Sequence, residues 1–391
     1  METRCMQKGE MEIVEKGVIP KPVHDERFNS ITFPCIEKLP SGRWLVSFKA
    51  SKTKEDIDTT YCMLMRSDDE GKTWSDPFEP IPLPKEIKVP GQYRAGYPLS
   101  LGGNRVLMVL NWTDASNLSL PYYDEETETL KDTKIYYSFS EDGGETWCEP
   151  FLMKVLPDNE PVPLTGPPFR LKDGTLVCHF EVNKAVGDPS KWVHRSAMIF
   201  SKNQGRTWGN TVIVTNVQDM YYWDQRPNVL ADGKSIVDYF WTLDGKRKRY
   251  LNIHSKISLD GGGTWSEFID TGIYGQPGIP ASLPDGRLFT IDIDRSLNPV
   301  ITVRCYPGYG KPCKESLIVL DYRITGQDSK NVSMQDAWKE MYRFSVGHPS
   351  LLRLNDSELL AYWYAGKNHN NTRIEYARIK CRPLRREEIL L

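Results

Sequence analysis

Asp224 and Arg226 stand either side of Gln225 directly after Trp223, and Asp294 and Arg295 adjoin each other further along the chain. Glu181, Tyr364, Asp56 and Asp58 follow apolar runs, whereas Arg94, Gln276 and His348 precede them. Carboxylates, arginines, a tyrosine and a histidine gathered at one cavity make a polar small-molecule site. Trp112, Trp192, Trp223, Trp241 and Trp363 lie near the same positions, and aromatic faces at a rim suit the C–H surfaces of sugars. His254 falls inside a strand-like run, where it reads either as a satisfied interior histidine or as a member of the site. The sequence has no close His pair with a carboxylate and no Cys pair at zinc spacing, so no metal and no cofactor is expected.

These residues are spread over most of the chain, so a repeat must bring them together. Four segments, 67–74, 140–147, 201–208 and 258–265, read Ser-x-Asp-x-Gly-x-Thr-Trp, with Asn203 in place of the Asp in the third. Each is a turn: the Asp accepts backbone N–H groups, the Gly permits positive φ, and the Trp packs beneath. A second repeat runs Pro, apolar residues, a tight turn and another apolar run. Its turns are Ser41-Gly42, Gly103-Asn104, Asp173-Gly174, Asp232-Gly233, Asp285-Gly286 and Asn355-Asp356. Such turns between apolar runs signal hairpins. Six hairpins predict an all-β, six-bladed propeller of four-stranded antiparallel blades, a single domain over 1–391. After the sixth hairpin only one further strand is legible, so a strand over about 10–18 is expected to complete the last blade and close the ring.

Strand parity sets the functional end. If the first strand of each blade descends, hairpin turns and Ser-x-Asp turns share the bottom face. The residues just before each repeat Pro, and the loops after each second strand, share the top. Those top positions hold Arg94, Asp224, Arg226, Gln276 and His348 in the first group. The second group holds Asp56, Asp58, Glu181, Asp294, Arg295 and Tyr364.

Composition fits a globular body: 39% of residues are hydrophobic and 26% charged. A net charge of −2 gives no basic field, which argues against nucleic-acid partners. No apolar stretch is long enough to span a bilayer, and residues 1–8 carry no apolar signal core, so a cytoplasmic protein is expected. Cys35, Cys62 and Cys178 lie on predicted strands and read as reduced core residues.

The combined marks resemble the sialidase (neuraminidase) superfamily, in particular its bacterial exo-sialidase-like branch with Asp-box repeats. They are Trp223-Asp224-Gln225-Arg226, Phe240-Trp241-Thr242, Asn252-Ile253-His254 and Gly275-Gln276-Pro277, with Ile293-Asp294-Arg295, Gly347-His348-Pro349 and Tyr364-Ala365-Gly366. The resemblance covers roughly residues 28–380. It implies an exo-acting glycoside hydrolase that removes a terminal sugar at a central funnel. It further implies an acid from Asp56 or Asp58, a nucleophile in Tyr364, and an activating base in Glu181 or Asp224. Arg94, Arg226 and Arg295 would hold a substrate carboxylate, with His254, Gln276, Asp294 and His348 beside them. The chain departs from the pattern at Thr32, where sialidases carry an arginine of the first blade. That departure favours a related sugar, anionic or otherwise, and leaves Asp58 with Asp224 as an alternative carboxylate pair. It also leaves open a non-hydrolytic sugar-active enzyme, or a non-catalytic propeller that binds glycans or protein. For Arg226 two readings stand: substrate clamp, or brace for Asp224 or Asp294.

Overall fold

The computed structural model describes residues 9–55, 58–156, 160–296, 298–322 and 344–384. Each hairpin expected from the second repeat forms where its turn residues place it. Trp44 pairs with Lys38 across Ser41-Gly42, for example, and Leu288 with Ser282 across Asp285-Gly286. Six antiparallel sheets follow one another along the chain. The first contains Ser30–Lys38, Trp44–Ser51 and Thr60–Ser67. The second contains Gly91–Gly102, Arg105–Asp114, Thr133–Ser140 and the short Phe151–Leu152. The third contains Phe169–Arg170, Leu176–Val182, Arg195–Ser201 and Gly209–Asn216. In the fourth, Met220–Trp223 and Asn228–Val229 share the inner position beside Ile236–Asp244, Asn252–Ser258 and Ile269–Tyr274. In the fifth, Gln276–Pro277 and Ala281–Ser282 do the same beside Leu288–Asp294, Val300–Tyr306 and Glu315–Asp321. The sixth contains Val346–Asn355, Glu358–Asn368 and Asn371–Cys381, and its outer strand is Met11–Ile19 from the other end of the chain.

The first sheet falls short of the expected four strands. Only an isolated bridge between Leu64 and Phe78 occupies its outer position. Pro77, Pro80, Pro82 and Pro84 explain this, because a segment so rich in proline lacks the N–H groups a ladder needs.

Each sheet packs on the next. Leu45 and Leu64 of the first meet Leu110 and Tyr136 of the second, and Val177 and Met198 of the third meet Ile236 and Phe240 of the fourth. The first sheet also packs on the sixth, through Phe48, Met63, Leu360 and Tyr362. The arrangement is all-β and propeller-like.

The Ser-x-Asp turns tie neighbouring sheets together. In the first, Ser67 Oγ and the Thr73 backbone N–H both donate to Asp69 Oδ1, at 2.8 Å each, and Thr73 Oγ1 donates to Oδ2. These donors hold the Asp69 carboxyl down at about 2. In the third turn the Asn203 amide donates to Thr207 Oγ1 instead, so the same loop closes with one hydrogen bond reversed. The turn glycines rest on the preceding sheet: a Cβ on Gly144 would meet Leu45 at 3.1 Å, and one on Gly262 would meet Phe200 at 2.7 Å. Both glycines have φ near +90°, which a side chain would strain.

Candidate active site

The inner strands are not regular where the site lies. The first sheet's inner strand shifts register between Thr32 and Cys35, the second's between Tyr93 and Ala95, and the sixth's between Gly347 and Ser350. In the fourth sheet the inner position is interrupted between Trp223 and Asn228. Phe33, Arg94, His348 and Asp224 stand in these four interruptions. Phe33, Asp224 and His348 adopt φ of 52°, 50° and 48°, a left-handed conformation that costs a non-glycine residue about 1–3 kcal/mol. Bulges re-aim side chains. All four residues line one cavity of about 120 Å³, together with Glu181 and Thr165.

The cavity's acidic side is preorganised. Gln276 Nε2 donates to Asp224 Oδ2 at 2.5 Å, and Arg226 Nη2 lies 3.3 Å from Asp224 Oδ1. The Asp224 backbone N–H donates to Glu181 Oε1 at 2.6 Å. His194 Nδ1 accepts the Tyr222 N–H, which leaves the His194 proton on Nε2, 3.5 Å from Glu181 Oε2. Both carboxylates are thus fixed by neighbours that are themselves fixed, while the Asp224 side chain keeps 24% of its surface open.

Arg226 and Arg295 stand behind this wall. The Arg226 guanidinium donates to the carbonyls of Thr165 and Gln225, and its Nη2 is 3.2 Å from His348 Nδ1. Arg295 donates to the Val346 carbonyl through Nε and Nη2, and to Gln276 Oε1 through Nη1 at 2.7 Å. Burial draws its proton affinity down to about 10. Both arginines therefore brace the groups that hold Asp224, and of the two readings for Arg226 the geometry fits the brace. Arg94 is the arginine on the cavity wall, its guanidinium 3.7 Å from the Tyr122 ring centre.

Tyr364 is buried beside His348 rather than on the cavity wall, with ring centroids 6.0 Å apart. Lys54 Nζ donates to its hydroxyl at 3.0 Å and to the Phe344 carbonyl. Burial pushes the Tyr364 hydroxyl up to about 12, so it is a neutral phenol at neutral pH. Gly347 permits this crowding: a Cβ there would lie 2.6 Å from the Tyr364 hydroxyl and 2.9 Å from Arg295.

The remaining expected residues lie apart. His254 is on the third strand of the fourth sheet, its ring beside Tyr222 and Phe268, where burial lowers its proton affinity. Asp294 accepts the Ser296 N–H, and Asp58 accepts the Thr53 hydroxyl; neither lines the cavity. Asp56 lies outside the described residues.

The structure adds residues that sequence reasoning passed over: Phe33, Asn111, Tyr122, Tyr123, Asn183 and Lys54. Tyr122 and Tyr123 come from an excursion between Asp114 and Thr133, where Tyr123–Asp124 pairs with Thr129–Leu130, and the latter with Lys184–Ala185 in parallel. The signal was length, since a connection that long between hairpin-paired strands is usually functional.

Two buried histidines give the site a pH signature. Thr165 Oγ1 donates to His179 Nδ1, and His179 Nε2 donates to the Pro167 carbonyl. Burial, then Arg226, hold His179 down at about 3 and His348 well below its ordinary value, with Lys54 and Arg295 also acting on His348. An unfolded histidine takes its proton near 6.5, so the unfolded chain binds more protons below that pH and the folded state loses stability as pH falls toward 3. The slope is at most about 1.4 kcal/mol per pH unit for each histidine. Glu37, pushed up to about 7 by burial, acts in the opposite sense between there and its ordinary value of 4.5, so a difference measurement is needed. The stability gap between the parent and His179→Gln should shrink as pH falls from 6.5 to 5, read from urea midpoints. A constant gap would contradict a neutral His179.

No family model matches the sequence, and no curated protein matches it. Solved structures do match. A protein of unknown function from Dyadobacter fermentans is 18% identical, with a TM-score of 0.69 over 95% of this chain and 100% of that one. The Hadza microbial sialidase Hz136 is 14% identical, with a TM-score of 0.67 over 93% of this chain and 68% of that one. The fold is sialidase-like. The α-L-arabinanase of Penicillium chrysogenum, solved with arabinobiose, is also similar, at 14% identity and a TM-score of 0.59 over 94% of this chain and 98% of that one. The sialidase-like fold is therefore shared with glycoside hydrolases of different sugars, and the site must decide the chemistry.

Proposed function

We propose that the protein is an exo-acting glycoside hydrolase whose six sheets close into a propeller, with Met11–Ile19 completing the last blade. Asp224 and Glu181 are its carboxylate pair, and the cavity between the inner strands receives the reacting end of the terminal sugar. The observation that carries this reading is the convergence of four strand interruptions on one cavity, with three non-glycine residues held at positive φ there. Strain of that kind is kept where geometry matters for function. Two cavity-facing carboxylates supply the acid and base that glycoside cleavage needs. Tyr122, Trp223 and Trp241 give the cavity wall apolar edges against which a sugar ring can pack, and Arg94 brings a positive charge to the same wall.

With Thr32 in the first blade, and with Arg226 and Arg295 occupied by protein carbonyls, a three-arginine carboxylate clamp is not assembled. A neutral sugar, or one bearing a single peripheral acid, fits better than sialic acid. A panel of aryl glycosides tests this, spanning sialic acid, uronic acid and neutral deoxy-sugar donors. Release is expected from a neutral or uronic donor. Release from sialic acid alone would refute the substrate assignment, and silence across the panel would move the protein toward glycan binding without catalysis.

A further inference from the structure

The fifth sheet lacks a Ser-x-Asp turn, and the junction in front of it is not filled as those in front of the second, third and fourth sheets are. In the second to fourth sheets the turn reaches back onto the preceding sheet and its Trp packs there: Trp147 joins the cluster of Leu45 and Leu64, Trp208 packs on Tyr137, and Trp265 joins the cluster of Val177 and Phe200. Between Tyr306 and Glu315 the chain instead runs Pro-Gly-Tyr-Gly-Lys-Pro-Cys-Lys. Tyr309 from this loop leans back on the fourth sheet, its hydroxyl 3.2 Å from Ser255 Oγ. A single tyrosine does not replace the indole and its turn. A cavity of about 340 Å³ is left between the fourth and fifth sheets, walled by Tyr239, Tyr306, Tyr309, Ile253, Ile273 and Leu288.

We propose that this cavity is a second binding site, separate from the sugar cavity, for a neutral aromatic molecule about the size of two fused rings. Size comes first: apolar cavities of about 150 Å³ take benzene, and this one is roughly twice that. Polarity disfavours a sugar. Most polar groups on the wall are already engaged: Ser255 by Tyr309, Asp292 by Arg304 at 2.8 Å, Thr271 by the Ile253 carbonyl and Asp270 by the Asn252 amide, which leaves Thr290 and Lys311. A polyhydroxylated ring placed there would surrender hydrogen bonds to water and regain few. Three tyrosine rings and branched aliphatic side chains instead match an aromatic guest, through offset or edge contacts. The site also borders the catalytic framework: Pro277 and Gly278 on its wall directly follow Gln276, the donor to Asp224.

The probes are 2-naphthol and indole, followed by calorimetry and by the thermal midpoint of the full chain, with glucose and methyl glucoside run in parallel. Saturable binding of one naphthol per chain, a midpoint that rises with ligand, and no sugar response that depends on Ile273 or Ile269 are expected. Ile273→Trp puts an indole into the cavity and should abolish the response. Ile269→Trp does the same from the mouth, where the residue is 43% exposed and the fold tolerates bulk. Three results would each overturn the assignment: no heat and no midpoint shift in the parent protein up to the solubility of naphthol, undiminished binding in both tryptophan variants, or sugar binding that either variant removes. Because none of these readouts involves hydrolysis, failure here leaves the reading of the sugar cavity untouched, and the converse also holds.

Discussion

Asp224→Asn is expected to lower kcat on the responsive glycoside by about two to four orders of magnitude, the usual worth of a positioned acid or base. The substitution keeps the shape of the side chain, and an amide oxygen can still accept from Gln276 Nε2, so the cavity wall stays in place. What is lost is the charge that Arg226 and Gln276 are arranged to hold. KM should change only a few-fold, because sugar contacts come from Arg94 and the aromatic walls. Steady-state kinetics on the best donor gives both parameters. A variant with parental kcat would remove Asp224 from the chemistry and leave Glu181 without its partner.

Arg226→Met is expected to act mainly on stability, with a loss of about 3–5 kcal/mol in urea unfolding. Its guanidinium is nearly fully buried and bonded on several sides, to two carbonyls, to His348 and to Asp224. Methionine fills the volume but strands the Thr165 carbonyl and leaves the Asp224 carboxylate facing a less compensated interior. A substrate clamp would behave differently, with stability near parental and KM raised sharply. The two outcomes separate brace from clamp in one pair of measurements.

The architecture was legible because its punctuation is local. Gly42, Asp173-Gly174, Asp232-Gly233 and Asp285-Gly286 all turn where hairpins were expected, and the strand at Met11–Ile19 pairs with Asn371–Cys381. The thin first sheet is also written in the chain, in the prolines after Trp74, but six like hairpins point to six like four-stranded blades. Membership of the site was only half legible. Asp224, Glu181, Arg94 and His348 reach the cavity because parity places their strand ends at one face. Which way each side chain points depends on bulges of one or two residues, and a pattern of apolar runs does not encode them. Hence Gln276, and Arg226 in its reading as a brace, stand behind Asp224. Tyr122 lies in a long, irregular loop that no apolar pattern places, and of the two readings for His254 its packing beside Tyr222 and Phe268 fits the interior one. No helix among the described residues is long and apolar enough to cross a membrane.

The pairing of Met11 with Cys381 sets an order on synthesis. A ribosome adds about 5–20 residues per second, so this strand waits on the order of 20–70 s for its partner. Throughout that interval it has a full set of unpaired N–H and C=O groups, and Val14 and Val18 remain half exposed even once it is paired. The nascent chain therefore carries this edge unpaired until the last strand of the sixth sheet is made, and the pairing of distant chain ends places a long-range step late in folding.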